Sequence, residues 1–234
     1  MSAHPVLAPN EAYRLWAADW DNHPSAIVAV EARCLAPWLA DVRGKWVLDI
    51  SCGTGRWLEY AARGRATVIG LDLCLEMLSR AAVKPGLGGR LALSDASHLP
   101  VPDGCADIAL CTLSLGHMRE AAAVLAEMGR AARAGGTVIV SDFHPEAFRL
   151  GWKRTFRSGG QTYEIENHYH SPDSVMAAAG RAGLVIEETA EPCFGEPERR
   201  IYLAAGKPEL FEVVRGVPAV WMARWRKAAA DEHR

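Results

Sequence analysis

Apolar positions change their period along the chain. Tyr13 to Trp20 is aromatic-rich, and from Ala26 to Leu39 apolar residues recur at helical spacing, predicting an N-terminal helical segment. From Trp46 the pattern shifts to short runs that are apolar almost throughout. Trp46–Ile50, Ala66–Leu71, Arg90–Leu93, Cys105–Cys111, Thr137–Val140, Leu184–Glu188 and Arg200–Ala204 are the predicted strands. Helical patterns fall between them, at Arg56–Arg63, Leu73–Ala82, Arg119–Ala134 and Pro172–Ala182. Strands without a polar face, alternating with helices, indicate a parallel sheet covered on both sides. The expected fold is therefore α/β: a doubly wound, mostly parallel seven-stranded sheet with helices on both faces.

Two stretches break the alternation. Phe143 to His170 is a long interval rich in Arg, Gly, aromatic and His residues, expected to form a lid inserted before the sixth strand. Within it, Gly159-Gly160 followed by alternating Tyr163, Ile165, Asn167 and Tyr169 predicts a hairpin or flap with His168 and His170 on one face. The tail from Lys207, with Trp221, Met222 and Trp225, is expected to end as a helix packed on the body. One domain is thus expected over 1–234. It comprises a helical cover (1–43), a core (44–142), the lid (143–170), the C-terminal half of the sheet (171–206) and the tail (207–234).

Composition narrows the classes. The chain has 234 residues, 50% of them apolar and 23% charged, ordinary values for a packed globular protein. Its 26 Lys and Arg against 28 Asp and Glu give a net charge of -2, which argues against a large phosphate-binding surface and so against nucleic-acid partners. Six cysteines without a CxxC pair disfavour a zinc knuckle or a disulfide framework. The N-terminus lacks a basic region followed by an apolar one, and no apolar run reaches ~18 residues. The expected compartment is the cytoplasm.

The candidate chemistry centres on Val47-Leu48-Asp49-Ile50-Ser51-Cys52-Gly53-Thr54-Gly55. A strand ends there, glycines permit a tight turn, and a helix begins whose free amides can face a close-packed or anionic ligand. The next strand ends in Asp72, placed to accept hydrogen bonds from ribose hydroxyls. Leu58 stands where a dinucleotide fingerprint needs a third small residue, and no GxxxxGK[ST] is present, so neither a dinucleotide nor a P-loop is expected.

These motifs resemble the class I S-adenosylmethionine-dependent methyltransferases, in particular the bacterial small-molecule branch with ubiquinone/menaquinone-type and malonyl-carrier-type enzymes. Val47–Gly55 resembles the first motif, with Ser51 where the family usually has Gly, and Asp72 the ribose-binding acid. Ser94-Asp95-Ala96 follows the third strand, Ala106–Met118 resembles the fourth-strand motif, and Arg133–Val140 the helix–Gly-Gly–strand signature. The resemblance implies S-adenosylmethionine held by Tyr13, Trp20, Asp49, Ser51, Gly53, Gly55, Asp72, Leu73, Asp95, Ala96, Cys111 and Thr112. Asp49 would take the methionine amino group, Asp72 the ribose, and Asp95 with the Ala96 amide the adenine. Plainer roles stand beside these: Asp72 as a helix cap, Asp95 as the opening of a turn before Ser97, the cysteines and Trp16 as packing, and His117 as packing beneath the methionine end.

The expected reaction is in-line methyl transfer to a small-molecule acceptor, with nucleic-acid or protein methylation and non-catalytic cofactor binding as alternatives. The sequence leaves open the acceptor atom and the oligomeric state. An acceptor that arrives protonated needs a base, and imidazole suits neutral pH. His144, two residues past the fifth strand's Asp142, ranks first as base, then His170, then His168. A His-x-His metal site with Asp142 or His144 is the lesser reading, and no metal is expected.

Overall fold

A computed structural model describes residues 4–22 and 24–229. The chain opens with a short strand, β1 (Val6–Leu7), and helices α1 (Pro9–Trp16) and α2 (Ala26–Leu35). Strand and helix then alternate: β2 (Trp46–Ile50), α3 (Arg56–Arg63), β3 (Thr67–Asp72), α4 (Leu75–Ala82), β4 (Leu91–Leu93), β5 (Ala106–Thr112), α5 (Ala121–Ala131) and β6 (Ala132–Phe143). The inserted segment supplies α6 (Pro145–Arg149) and the hairpin β7 (Thr155–Ser158) and β8 (Gln161–Ile165). The chain continues with α7 (Pro172–Arg181), β9 (Leu184–Ala190), α8 (Glu196–Ala204), α9 (Pro208–Val214) and β10 (Val220–Lys227).

The main sheet has seven strands in the order β4-β3-β2-β5-β6-β10-β9, and β10 alone runs against its neighbours. Its two faces follow from strict alternation of side chains. Leu48, Ile50, Ala109, Cys111, Val138 and Val140 join one buried cluster, closed by Val124, Leu125 and Met128 of α5 and Val175 and Ala179 of α7. Val47, Ile108, Leu110 and Ile139 join the other, closed by Val30 and Leu35 of α2, Leu58 and Ala61 of α3, and Leu78 of α4. The helices therefore cover both faces, as the uninterrupted apolar strands require.

Two predicted elements change identity. Arg200–Ala204 lies in α8, not in a strand. Pro197 suits the first turn, and Glu198 accepts a hydrogen bond from the Gly195 amide at 2.9 Å, which fixes the start of a helix. The seventh strand is instead β10, in the tail expected to be helical. Trp221 and Trp225, four residues apart, share a face in a helix and in a strand alike. The residues between them settle the period: Trp221, Ala223 and Trp225 face one cluster, and Val220 and Met222 the other. Residues 230–234 of that tail lie outside the described residues.

The lid is built from both ends of the site. Gly159 and Gly160, at φ 57° and 81°, make the β7–β8 turn that the sequence predicts. β1 pairs in parallel with β8, so the N-terminus and the insertion form one three-stranded sheet over the parallel strand ends. Ala12, Phe156 and Ile165 are buried beneath it, packed with Leu7, Tyr13, Trp16 and Tyr163. Strand β8 stops at Ile165, so His168 and His170 follow the flap and are not on it.

Candidate active site

Between this cap and the carboxyl ends of β2, β3 and β5 lies a cavity of about 630 Å³. Sheets of this kind open such crevices where the strand order reverses, here between β2 and β5. Asp49 sits in its wall, 2% exposed, and its Oδ1 is buried without a hydrogen-bond partner. Burial pushes its carboxyl up to about 8, with Arg56 pulling the other way. The turn that follows needs left-handed backbone three times, at Ser51 (φ 58°), Gly53 (φ 55°) and Gly55 (φ 77°). Ser51 thus takes the strained conformation that a glycine would adopt freely.

Asp72 closes the loop. Its Oδ2 accepts from the Gly53 amide at 2.7 Å and its Oδ1 from the Cys74 amide at 2.8 Å, which ties the first loop to the second. Burial raises its pKa, against the pull of these amides. Each oxygen keeps a further lone pair for a hydroxyl donor. Asp95 accepts from Ser97 through both amide and hydroxyl, at 2.8 and 2.7 Å, and these bonds lower its pKa. It opens a turn and lines the cavity as well.

Ten of the twelve predicted cofactor residues line this one cavity: Tyr13, Trp20, Asp49, Ser51, Gly53, Asp72, Leu73, Asp95, Ala96 and Thr112. Gly55 and Cys111 do not. Gly55 is needed for close packing, since a Cβ there would lie 2.7 Å from Leu87 Cδ1. Cys111 is fully buried in the sheet with its Sγ 3.2 Å from Ser114 Oγ, and burial pushes its thiol up to about 12. Trp16 both packs on Phe156 and lines the cavity.

None of the three ranked histidines reaches the cavity wall. His144 Nδ1 accepts from the Glu146 amide at 3.0 Å and caps α6, turning its ring toward Glu191. His170 Nε2 lies 2.8 Å from the Met118 carbonyl, and His168 stands near the Glu166 carboxylate, 3.7 Å away. No three His, Cys, Asp or Glu side chains gather in metal-binding geometry among the described residues.

The wall holds other polar groups instead. His117, Arg154 and Phe143 line its far end. At the near end, Arg56 bonds to the fully buried Glu31 at 2.8 Å, and Glu31 also accepts from Trp57 and Ser141. Only the apolar run around Glu31, broken by a single acid, hinted at a buried carboxylate.

Residues 48–140 match the family described as "Methyltransferase domain". Those residues are similar to that domain. The chain is 35% identical over 101 residues to a malonyl-[acyl-carrier protein] O-methyltransferase of Hamiltonella defensa, a match covering 43% of this chain and 39% of that one. It is 33% identical over 160 residues to a demethylmenaquinone methyltransferase of Deinococcus radiodurans, covering 65% and 63%. In both cases the chain spans less than two thirds of the relative's length. Its fold is that of an S-adenosylmethionine-dependent methyltransferase from Mesorhizobium loti, with a TM-score of 0.67, 24% identity, and coverage of 86% of this chain and 100% of that one.

S-adenosylmethionine is the cofactor that this domain and fold imply, and the cavity fits it. An ammonium against Asp49 Oδ1 supplies the donor that this buried atom lacks. Asp72 retains lone pairs for two ribose hydroxyls, and the volume falls in the range of small-molecule sites.

Proposed function

We propose that the chain transfers a methyl group from S-adenosylmethionine to a small molecule held at the far end of the same cavity. The observation that carries this reading is continuity. One cavity joins Asp72, Gly53 and Asp49 at the strand ends to Phe143, Arg154 and Ile165 beneath the lid. When bound, the cofactor supplies a methyl group on a positively charged sulfur. Asp72 holds the ribose hydroxyls, Asp95 and the Ala96 amide hold the adenine edge, and Asp49 holds the ammonium. Tyr13, Trp16 and Trp20 cover the cofactor and keep water from the transfer axis, where alignment supplies most of the rate. The Asp21 carboxylate fastens that cover, accepting from Thr54 in the glycine loop at 2.8 Å and pairing with Lys84 at 2.9 Å.

The name of one relative, a demethylmenaquinone methyltransferase, supports a small acceptor, whereas the other names a malonyl group carried on a protein. The net charge of -2 gives no support to a nucleic-acid substrate. Calorimetry with S-adenosylmethionine and its demethylated product tests the cofactor role, and release of labelled methyl onto an acceptor panel tests transfer. Absence of binding refutes the proposal. Binding without transfer to any acceptor favours a non-catalytic protein with the same fold.

A further inference from the structure

Beyond the cofactor end, the cavity wall carries a polar network whose hydrogen bonds have one direction. His117 Nδ1 lies 3.3 Å from the Glu166 carbonyl, a group that only accepts, so the ring proton belongs on Nδ1. Nε2 is then bare, and two donors face it: the Tyr13 hydroxyl at 2.9 Å and an Arg154 guanidinium N–H at 3.4 Å. Arg154 pairs with Asp142, donates to the Leu113 carbonyl, and lies 4.1 Å above the centre of the Phe143 ring. Asp142 is fixed by the amides of Gly116 and Phe143.

This arrangement disqualifies His117 as a base. A proton arriving at Nε2 displaces the Tyr13 donor and creates a second cation beside the guanidinium. Burial first, and then Arg154, hold the imidazole down to about 3, with His168 pushing the same way. Burial likewise holds the Tyr13 phenol up at about 12. The other charged neighbours, Asp142 and the Glu166 carboxylate with Arg119 and His168, are engaged in pairs. Of the remaining cavity carboxylates, Asp49, Asp72 and Asp95 belong to the cofactor end, and Glu120 stands at the exposed rim.

What this end offers is a guanidinium whose charge Asp142 balances and which keeps an N–H without a partner. The Arg154 side chain is 8% exposed, and its Nε lies buried without a hydrogen-bond partner. The cavity lining also holds apolar side chains, among them Trp16, Met118, Phe143 and Ile165, beside the polar Lys153 and Thr155. Given the methyl transfer proposed above, we infer that the acceptor is a small carboxylic acid with an apolar body, bound as the anion against Arg154 and methylated to its ester without an enzyme base. A carboxylate oxygen forms the new bond to the methyl carbon while the carbon–sulfur bond breaks and its electron pair stays on sulfur. The products are a neutral ester and a neutral thioether, and no proton changes hands. Two opposite charges disappear on the way, a change that a dry, low-dielectric site favours. His117 and Tyr13 are positioning residues, which hold the Arg154 guanidinium toward the cavity.

The test uses the full chain with 3-phenylpropanoate and octanoate, each beside its alcohol and amine analogue. Binding is read by calorimetry on the protein loaded with the demethylated cofactor, and turnover by ester formation. The acids should bind at least about tenfold more tightly than the alcohols, as hydrogen bonds to a charged group require. Ester formation should be flat from about pH 6 to about pH 9, because the acid is ionised throughout. The paired change Arg154→Gln with Asp142→Asn removes both buried charges together and so leaves neither unpaired. It should bring acid and alcohol binding level while the cofactor product still binds. His117→Gln should raise KM and leave the pH profile flat. Methylation of an alcohol or amine with a rate that rises through neutral pH and loses that rise in His117→Gln overturns the inference. So does the absence of ester from both acids while the cofactor product binds. Failure to bind that product sinks the methyltransferase reading itself, and this inference with it.

Discussion

Replacing Asp49 by Asn should make the cofactor-free protein more stable at neutral pH and less able to bind its cofactor. Asp49 is 2% exposed, with Oδ1 unpartnered, and its pKa rises from the ordinary 3.8 to about 8. A carboxyl with a raised folded-state pKa binds a proton that the unfolded chain has already released. Stability therefore falls as pH climbs from about 4 to about 8 and levels off above, by about 1.4 kcal/mol per pH unit from this group alone. Between about pH 5 and about pH 7 the loss is on the order of 2 to 3 kcal/mol. Asn has the same shape and no proton to lose. Urea unfolding of both proteins at steps across this range isolates the slope, since the other titrating groups cancel in the difference. Wild type should lose ground to Asp49→Asn steadily as pH rises. Saturating S-adenosylmethionine, with its ammonium against Oδ1, should remove the slope from wild type. A stability difference that stays flat with pH would refute the reasoning, because Asp49 would then be ionised in the folded protein without a partner.

Further outcomes are expected elsewhere. Asp72→Asn forfeits one acceptor among those facing the Gly53 and Cys74 amides and the ribose, and should weaken cofactor binding by at least about tenfold in calorimetry. His144→Ala should keep turnover within about twofold and lower stability by about 1 kcal/mol, the worth of the lost α6 cap. A loss of turnover of about a hundredfold would instead restore His144 as the base. Trp225→Ala empties a site that is 1% exposed on β10 and should destabilise the fold by about 3 to 5 kcal/mol in denaturant unfolding.

The floor of the site was legible because it is local. Val47–Gly55 carries, in consecutive residues, a strand that must be buried on both faces, the turn, and the start of a helix. Asp72 follows at the end of the next strand. Apolar periodicity and glycine placement act over a few residues, so they survive in the sequence. The hairpin at Gly159-Gly160 was legible for the same reason.

Other features depended on partners far away in the chain. Trp221 and Trp225 fit a helix or a strand equally well. The slot between β6 and β9, with a ladder of backbone hydrogen bonds on each side, made that segment the seventh strand. His144 looked best as a base because it follows Asp142 closely, yet its nearest unsatisfied neighbour was the first turn of α6, and capping that helix turned its ring away. The polar group beneath the lid joins Tyr13 and His117, 104 residues apart, and Arg154, 37 residues beyond His117. Side-chain contacts across such separations leave no periodic trace. They exist because β1 pairs with β8 and brings the N-terminus and the inserted lid together over the ends of the parallel strands. Sequence alone determined the glycine-loop floor of the cavity, where chemistry and backbone geometry share the same few residues. The end beneath the lid was decided by tertiary structure, where packing the lid selected which charges would meet.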